Sequence, residues 1–252
     1  MLNVFYAEIL KLKRTQLLWL TLFGGMLPAV LSIFGQSRNL NWNELLINNS
    51  LFLNIMIAPM LLSLLAGFVV VREYGDNTIN QLFVYPHHRV KILIGKMIII
   101  LFLSTAIFAL NYALTLAAGS IMSEQSVSEE LFWKFTRAHA WMLAFQALLI
   151  PVTMTVGIIG KSFIPPIVLG IVAVLINMLG MQGVEDHIAG RVTFVSYIPF
   201  GSMIVHLLDI MKANVPDEIY RIHALYPQAA VFLLFFLFNV FYYTKSEVHS
   251  GS

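Results

Sequence analysis

Long apolar runs alternate with shorter polar segments along the whole chain. Six of the runs are long enough to cross a bilayer, because a membrane-spanning helix needs roughly 20 predominantly apolar residues. The predicted spans are residues 16–35, 51–71, 97–119, 139–159, 163–181 and 227–243. Pro28 is expected to kink the first of them. The pattern predicts an all-α polytopic membrane protein that forms a single transmembrane domain over residues 1–252.

The N-terminal segment has a different pattern, because its apolar residues follow one helical face over residues 2–12. Glu8 and Lys11 lie on the opposite face. A helix of this length, at about 1.5 Å per residue, is too short to span a bilayer. We therefore expect residues 1–15 to form an interfacial helix that lies flat at the membrane surface.

Residues 183–226 do not read as an ordinary loop. They begin with acidic and polar residues and then turn apolar over 192–208, where Pro199 and Gly201 interrupt the run. Such a run is too short and too broken for a span. We expect a re-entrant dip into the outer leaflet, followed by a second, exposed helix near 217–225.

The basic residues divide unequally between the two sides that six spans define. The side with both termini, residues 72–96 and Lys161 has nine basic and four acidic residues, whereas the other side has six basic and nine acidic residues. Short cytoplasmic loops carry the excess of Lys and Arg. We therefore predict that both termini and the 72–96 segment are cytoplasmic.

Composition narrows the possible functions. The chain is 59% hydrophobic and 11% charged, and its mean hydropathy is +0.81. It has no cysteine, which excludes disulfide scaffolds, Cys-ligated zinc and thiol chemistry. The net charge of +2 is too small to suggest a nucleic-acid partner.

None of the predicted spans has an acidic or basic residue at its middle, which argues against an ion-driven transporter. The polar residues inside them are either interhelical hydrogen-bond contacts or the lining of a substrate path. They are Asn54, Asn111, Gln146, Asn177 and Asn239. Energy for transport would therefore come from a cytoplasmic partner.

The segment 73–96 contains the signals of a short helix. Asp76 and Asn77 are good N-caps for residues 78–84, and Pro86 ends the helix. Its apolar residues Ile79, Leu82 and Phe83 share one face. Two helical turns are not stable alone, so this face is expected to lie on the bilayer or in a groove of a partner.

The stretch "REYGDNTINQLFVYPHHRVKILIGK" resembles the segment after the second transmembrane helix of ABC-2-type permeases. "AEILKLKRT" resembles the elbow helix of that family, and the small bacterial permeases of bacitracin resistance and lantibiotic immunity are the most similar. The matching positions are Glu8 and Lys11 in the elbow helix and Glu73, Thr78, Pro86, Arg89, Gly95 and Lys96 in the coupling loop. Asp76-Asn77 and His87-His88 depart from the family pattern.

The resemblance implies a permease of the bacterial cell membrane that exports a peptide antibiotic or toxin, conferring resistance or immunity. Two permease chains, identical or related, would pair above a cytoplasmic ABC ATPase that binds ATP and Mg. This chain has no phosphate-binding G-x-x-x-x-G-K-[ST] loop, and no catalytic, metal or cofactor-binding residues are expected in it. Ile79, Leu82 and Phe83 would contact the ATPase, while Glu73, Arg89 and Lys96 would form salt bridges or orient the loop.

Two alternatives remain at the level of sequence. Glu129, Glu130 and the Phe135-x-x-x-His139 spacing faintly resemble intramembrane metal-dependent proteases. A non-transporting membrane scaffold is the other alternative, although it would not need a capped helix at 78–84.

Overall fold

The computed structural model describes residues 8–12, 15–35, 41–76, 89–123, 125–182, 198 and 217–245. Every regular element within these residues is helical, and residues 8–12 are helical as well. The helices are α1 (Leu17–Phe34), α2 (Trp42–Leu51), α3 (Ala58–Gly75), α4 (Arg89–Met122), α5 (Glu129–Leu148), α6 (Ile150–Gly160), α7 (Ile164–Gln182) and α8 (Asp217–Lys245). A π-helical turn, Phe52–Ile57, joins α2 to α3.

Six stretches of the described residues are long and apolar enough to cross a membrane, which confirms the predicted fold class. They are Leu17–Phe34, Trp42–Gly75, Arg89–Met122, Glu129–Gly160, Ile164–Met181 and Tyr226–Lys245. The second and fourth each contain two helices.

The core lies around α3, which packs against α6, α7 and α4, while α1 packs mainly on α4. Fully buried Leu65, Ile100 and Met154 belong to one continuous apolar cluster. The outward faces of α1, α7 and α8 carry large exposed apolar side chains, as a lipid-facing surface requires. The helices thus pack as one bundle with an apolar exterior.

Several polar contacts place the described chain ends at one end of the bundle, here termed the charged end. Lys11 Nζ lies 2.9 Å from Glu73 Oε1, at the end of α3. Arg89, at the start of α4, reaches the last carbonyls of α8. Lys161 Nζ lies 6.0 Å from the Tyr74 ring centroid. This arrangement agrees with the expected topology, whereas the cytoplasmic location of the charged end stays a prediction.

Three predicted spans were too short. The second span begins as helix at Trp42 rather than at residue 51, because Asn41 caps it by accepting from Asn43 N at 3.0 Å. Asn49 and Ser50, near the end of this added helix, are buried. The fourth begins at Glu129 rather than at residue 139, with Ser128 as its N-cap. The third begins at Arg89 rather than at residue 97.

Residues 217–225 are helical, as predicted, but they do not form a separate helix, since α8 runs continuously from Asp217 to Lys245 through Pro227. The predicted re-entrant dip over 192–208 lies outside the described residues, as does the part of the elbow helix before residue 8. The interfacial position of the elbow helix remains a prediction.

Prolines mark two irregularities inside the spans. Pro59 follows the π-helical turn and lacks the N–H that an uninterrupted α-helix would direct to Ile55 O. Asn177 Nδ2 of α7 donates to that carbonyl at 3.2 Å. Pro151 lies in the first turn of α6, and the fourth span breaks at Leu149 just before it. At Pro59, therefore, a side chain of α7 satisfies the backbone carbonyl that the proline leaves without its usual donor.

Candidate functional site

Four charged side chains meet at the charged end and form what we term the charge cluster: Glu8, Lys11, Glu73 and Lys96. Lys11 Nζ lies 2.6 Å from Glu8 Oε1 and 2.9 Å from Glu73 Oε1. Lys96 Nζ lies 2.7 Å from Glu73 Oε1 and 3.6 Å from Glu8 Oε2. The cluster therefore joins residues 8–12 to the last turns of α3 and the first turns of α4.

Three members of the charge cluster are buried. The side chains of Glu8, Glu73 and Lys96 are 7%, 6% and 1% exposed, whereas that of Lys11 is 44% exposed. Burial of an unpaired charge is very unfavourable, and each buried charge here has an opposite charge next to it. Two carboxylates and two ammonium groups balance, so the cluster is formally neutral.

Lys96 has a further partner on the backbone. Its Nζ donates to Val69 O at 3.1 Å, one turn before Glu73 on α3. An ammonium group has three N–H donors. Glu73 and Val69 lie within hydrogen-bond distance of this ammonium group, and Glu8 adds an ionic contact at 3.6 Å. Together they explain how a lysine can be fully buried at the side of a transmembrane helix.

Arg72 adds an exposed contact beside the cluster. Its Nε lies 3.1 Å from Asp76 Oδ2, four residues later on the same chain. Its Nη1 donates to Lys11 O at 3.2 Å. The elbow segment is thus attached to α3 by a backbone contact in addition to the ion pairs.

Arg89 ties the start of α4 to the last helix. Its Nη1 donates to Tyr243 O and to Thr244 O, each at 3.3 Å. These carbonyls belong to the last turn of α8, where backbone acceptors lack intrahelical donors and the helix dipole favours a positive charge. The contact fixes the C-terminal end of α8 beside the start of α4.

The structure brings together four of the predicted site residues, namely the charge cluster, and it places Arg89 on a different partner, α8. The predicted coupling residues Thr78, Ile79, Leu82, Phe83 and Pro86 lie outside the described residues. A role of any of these positions in ATPase coupling stays a prediction. Sequence reasoning missed the carbonyl acceptors Val69 and Tyr243, because a backbone carbonyl has no sequence signal.

A second set of polar contacts lies between the helices. Asn49 Nδ2 donates to Asn111 Oδ1 at 2.8 Å, and Asn111 Nδ2 donates to Asn49 Oδ1 at 3.1 Å. Asn111 Nδ2 also donates to Gly25 O at 3.1 Å. These contacts join α2, α4 and α1, and we term them the amide junction.

Two further asparagines of the spans differ in their partners: Asn239 bonds to a neighbouring helix, whereas Asn54 bonds within its own helical segment. Asn239 Nδ2 donates to Pro151 O at 2.9 Å, and Asn239 Oδ1 accepts from Thr155 Oγ1 at 2.8 Å, which joins α8 to α6. Asn54 Nδ2 donates to Ser50 O, one turn earlier. Asn111, Asn177 and Asn239 thus make interhelical hydrogen bonds, as one of the two readings of the sequence predicts.

The residues considered for a metalloprotease do not converge. His139 Nδ1 lies 3.0 Å from Phe135 O, and its ring packs on Tyr112 at 4.6 Å between centroids. Glu129 and Glu130 are exposed in the first turn of α5. No group of three His, Asp or Glu residues able to hold a metal ion occurs among the residues described.

The family model described as "ABC-2 family transporter protein" matches residues 4–177. The chain belongs to the ABC-2 transporter family. The matched region includes every member of the charge cluster and of the amide junction. Membership makes the chain a multi-pass membrane subunit of an ABC transporter, and it does not favour the protease reading.

One known protein is similar to this chain over most of the length of both. The bacitracin transport permease protein BCRB of Bacillus licheniformis is 18% identical over 210 residues. The similarity covers 83% of this chain and 95% of the relative. This ABC-2 permease therefore resembles the bacitracin-resistance type.

Proposed function

We propose that this chain is the permease subunit of an ATP-driven ABC exporter in a bacterial cell membrane. It moves an amphipathic or hydrophobic substrate outward, and a peptide antibiotic or toxin is the substrate class proposed. Family membership supports transport by an ABC mechanism, and the resemblance to a bacitracin transport permease supports a peptide substrate. No catalysis is assigned to this chain.

The observation that carries the proposal is how the two flanks of segment 77–88 are held. Glu73, in the last turn of α3, and Lys96, in the first turns of α4, meet in the charge cluster. Arg89 holds the first turn of α4 to α8. A partner that moves the intervening segment would therefore act on three helices at once, as rigid-body coupling requires.

The proposed partners follow from the same reasoning. A cytoplasmic ABC ATPase binds ATP and Mg and contacts the apolar face of Ile79, Leu82 and Phe83. A second permease chain, identical or related, completes the pathway through the lipid bilayer. Export would be driven by closure of the ATPase dimer rather than by an ion gradient.

Co-purification tests the ATPase partner. The tagged chain, expressed with a candidate ABC ATPase from the same genome, should retain that ATPase in detergent, and the complex should hydrolyse ATP. Phe83→Asp should release the ATPase, because it would bury an unpaired charge at the contact. Phe83→Leu, which keeps the face apolar, is the matched control and should retain it. Retention of the ATPase by the Asp variant would contradict the assigned contact.

Reconstitution tests the transport function. Proteoliposomes with the complete complex should transport a labelled peptide antibiotic such as bacitracin only when ATP is present. Transport by this chain without an ATPase would contradict the proposal.

A reporter fused after Tyr85 should be found in the cytoplasm, and an external position would contradict the proposed orientation.

A further inference from the structure

The charge cluster connects three parts of the chain that are distant in sequence. Residues 8–12 supply Glu8 and Lys11, α3 supplies Glu73, and α4 supplies Lys96. We propose that Lys96 is a positioning residue that holds the elbow segment, the end of α3 and the start of α4 together as one rigid unit during transport. This inference rests on the proposed function, because it concerns how ATPase motion reaches the helices.

Lys96 is the member of the charge cluster that belongs to α4, and it contacts both α3 and the elbow segment. Its Nζ contacts Glu73 Oε1 at 2.7 Å and Val69 O at 3.1 Å on α3, and Glu8 Oε2 at 3.6 Å in the elbow segment. Lys11 makes a second bridge from the elbow to Glu73, but it is half-exposed. Removal of the Lys96 charge would therefore leave α4 without its ionic contact to the other two parts.

The position of the cluster relative to segment 77–88 suggests its use. This segment connects α3 to α4. A force that the ATPase exerts on it therefore acts on the end of α3, at Glu73, and on the start of α4. If the end of α3 and the start of α4 could separate, part of the movement of segment 77–88 would only change the distance between these two helices and would not be passed on along them. An ionic contact between the flanks makes both helices and the elbow move with the segment.

Stability alone is a weak reason for such a cluster. Replacing buried ion pairs by well-packed apolar residues is often neutral or stabilising, whereas removing one partner is strongly destabilising. A requirement for one fixed arrangement of three segments accounts for buried, paired charges better than a requirement for stability does. An exposed pair such as Arg72–Asp76 does not meet that requirement, because both residues belong to the same end of α3.

The test compares transport with ATP hydrolysis in the complete complex. The variant Glu73→Gln with Lys96→Met removes one charge of each sign, so the cluster stays formally neutral and Glu8 keeps Lys11 as its partner. It should still bind the ATPase and hydrolyse ATP, but the number of peptides transported per ATP should fall about tenfold, a usual size for coupling between sites. Lys161→Asn is the matched control: it removes an exposed lysine at the charged end, and asparagine tolerates the left-handed backbone there.

A covalent link between the elbow segment and the end of α3 gives a second measurement. The chain has no cysteine, so Leu10→Cys and Gly75→Cys introduce a single pair. Both positions are exposed, and a side chain at Gly75 meets nothing within 4 Å. A short bis-maleimide cross-link between them should leave transport by the otherwise unchanged complex intact, because the two segments do not separate. In the neutralised variant the same cross-link should not restore the lost transport per ATP, because it leaves α4 unattached to the other two parts.

The outcomes separate this inference from the proposed function. An unchanged ratio of transport to hydrolysis in the neutralised variant would overturn it. Loss of transport when the unchanged complex is cross-linked would also overturn it, and this measurement does not depend on the folding of any cluster variant. Loss of ATPase binding by a folded neutralised variant would count against it too, because the cluster would then shape the docking surface. Failure of the unmodified chain to bind an ATPase would instead contradict the proposed function.

Discussion

The charge cluster and the amide junction both hold segments of the helical bundle together, but they use different chemistry. Each joins three segments of the chain through contacts of mostly buried side chains. The cluster uses four charges with contacts of 2.6 to 3.6 Å, whereas the junction uses two neutral amides and a carbonyl at 2.8 to 3.1 Å. The cluster lies where helices end, and the junction lies within the span of α4.

The difference follows from access to water. A charge in the hydrocarbon region is unfavourable unless it is paired, and Lys11 keeps one side of the cluster partly exposed. The amide junction needs no such exposure, because an Asn pair satisfies its donors and acceptors without net charge. The two sites therefore differ in what happens when one partner is removed. In the cluster a charge is left behind, whereas in the junction only a hydrogen-bonding group is.

The largest effect is expected for Lys96→Met alone. It leaves Glu8 and Glu73 with Lys11 as their remaining cation, and loss of one partner of a buried ion pair typically costs about 3–5 kcal/mol. The free energy of unfolding in detergent measures it. The neutralised variant, Lys96→Met with Glu73→Gln, should lose much less, and equal losses would show that charge is not the cause.

A close approach of helices supports the amide junction, and Gly25→Ala should disturb it. A Cβ at Gly25 would lie 2.9 Å from Leu110 Cδ2 and 3.1 Å from Ile107 O, so the Leu110 side chain and the spacing of α1 and α4 must adjust. Overpacking of this kind costs about 1–3 kcal/mol. Gly75→Ala is the control, because the space beside Gly75 is open. Equal melting temperatures for the two variants would contradict the close-packing argument.

Asn111→Leu is expected to have a smaller effect than either. It removes the hydrogen bonds to Asn49 and Gly25, and interhelical hydrogen bonds in membranes average about 0.6 kcal/mol each. We expect a loss of about 1 kcal/mol in unfolding free energy. The double variant Asn49→Leu with Asn111→Leu should recover part of it, because no buried amide is left unsatisfied. A further loss in the double variant would contradict this explanation.

Asp76→Asn should have the smallest effect. It breaks the Arg72–Asp76 ion pair, whose side chains are 38% and 55% exposed, and such pairs contribute about 0.5 kcal/mol or less. Unfolding of this variant should match that of the unchanged chain within error. A loss as large as that of Lys96→Met would mean that the exposed pair and the cluster form one network.

Helix length was harder to predict than helix number. The apolar runs identify six spans, but α2 and α5 begin in polar sequence, where Asn41 and Ser128 act as N-caps. Asn49 and Ser50 look like loop residues, yet they are buried. A polar side chain that hydrogen-bonds inside a bundle cannot be distinguished by type from one that faces water.

The candidate site was predicted in part. Glu8, Lys11, Glu73 and Lys96 stand out in the sequence through resemblance to a family pattern. Their convergence in one cluster does not follow from that pattern. Lys96 was predicted to precede its span, because a lysine is rarely buried in a helix without a partner. Its partners are 23 and 88 positions away, which no local pattern reveals.

The sequence by itself determined that this protein is a six-span helical membrane protein with an uneven distribution of charge between its two sides. These properties depend on local composition, since the bilayer selects apolar runs of a given length. Only the tertiary structure decided which charges pair, which amides meet and which carbonyls accept from Lys96, Arg89 and Asn177. Those contacts depend on distances between segments remote in sequence, and the packing of the bundle sets those distances.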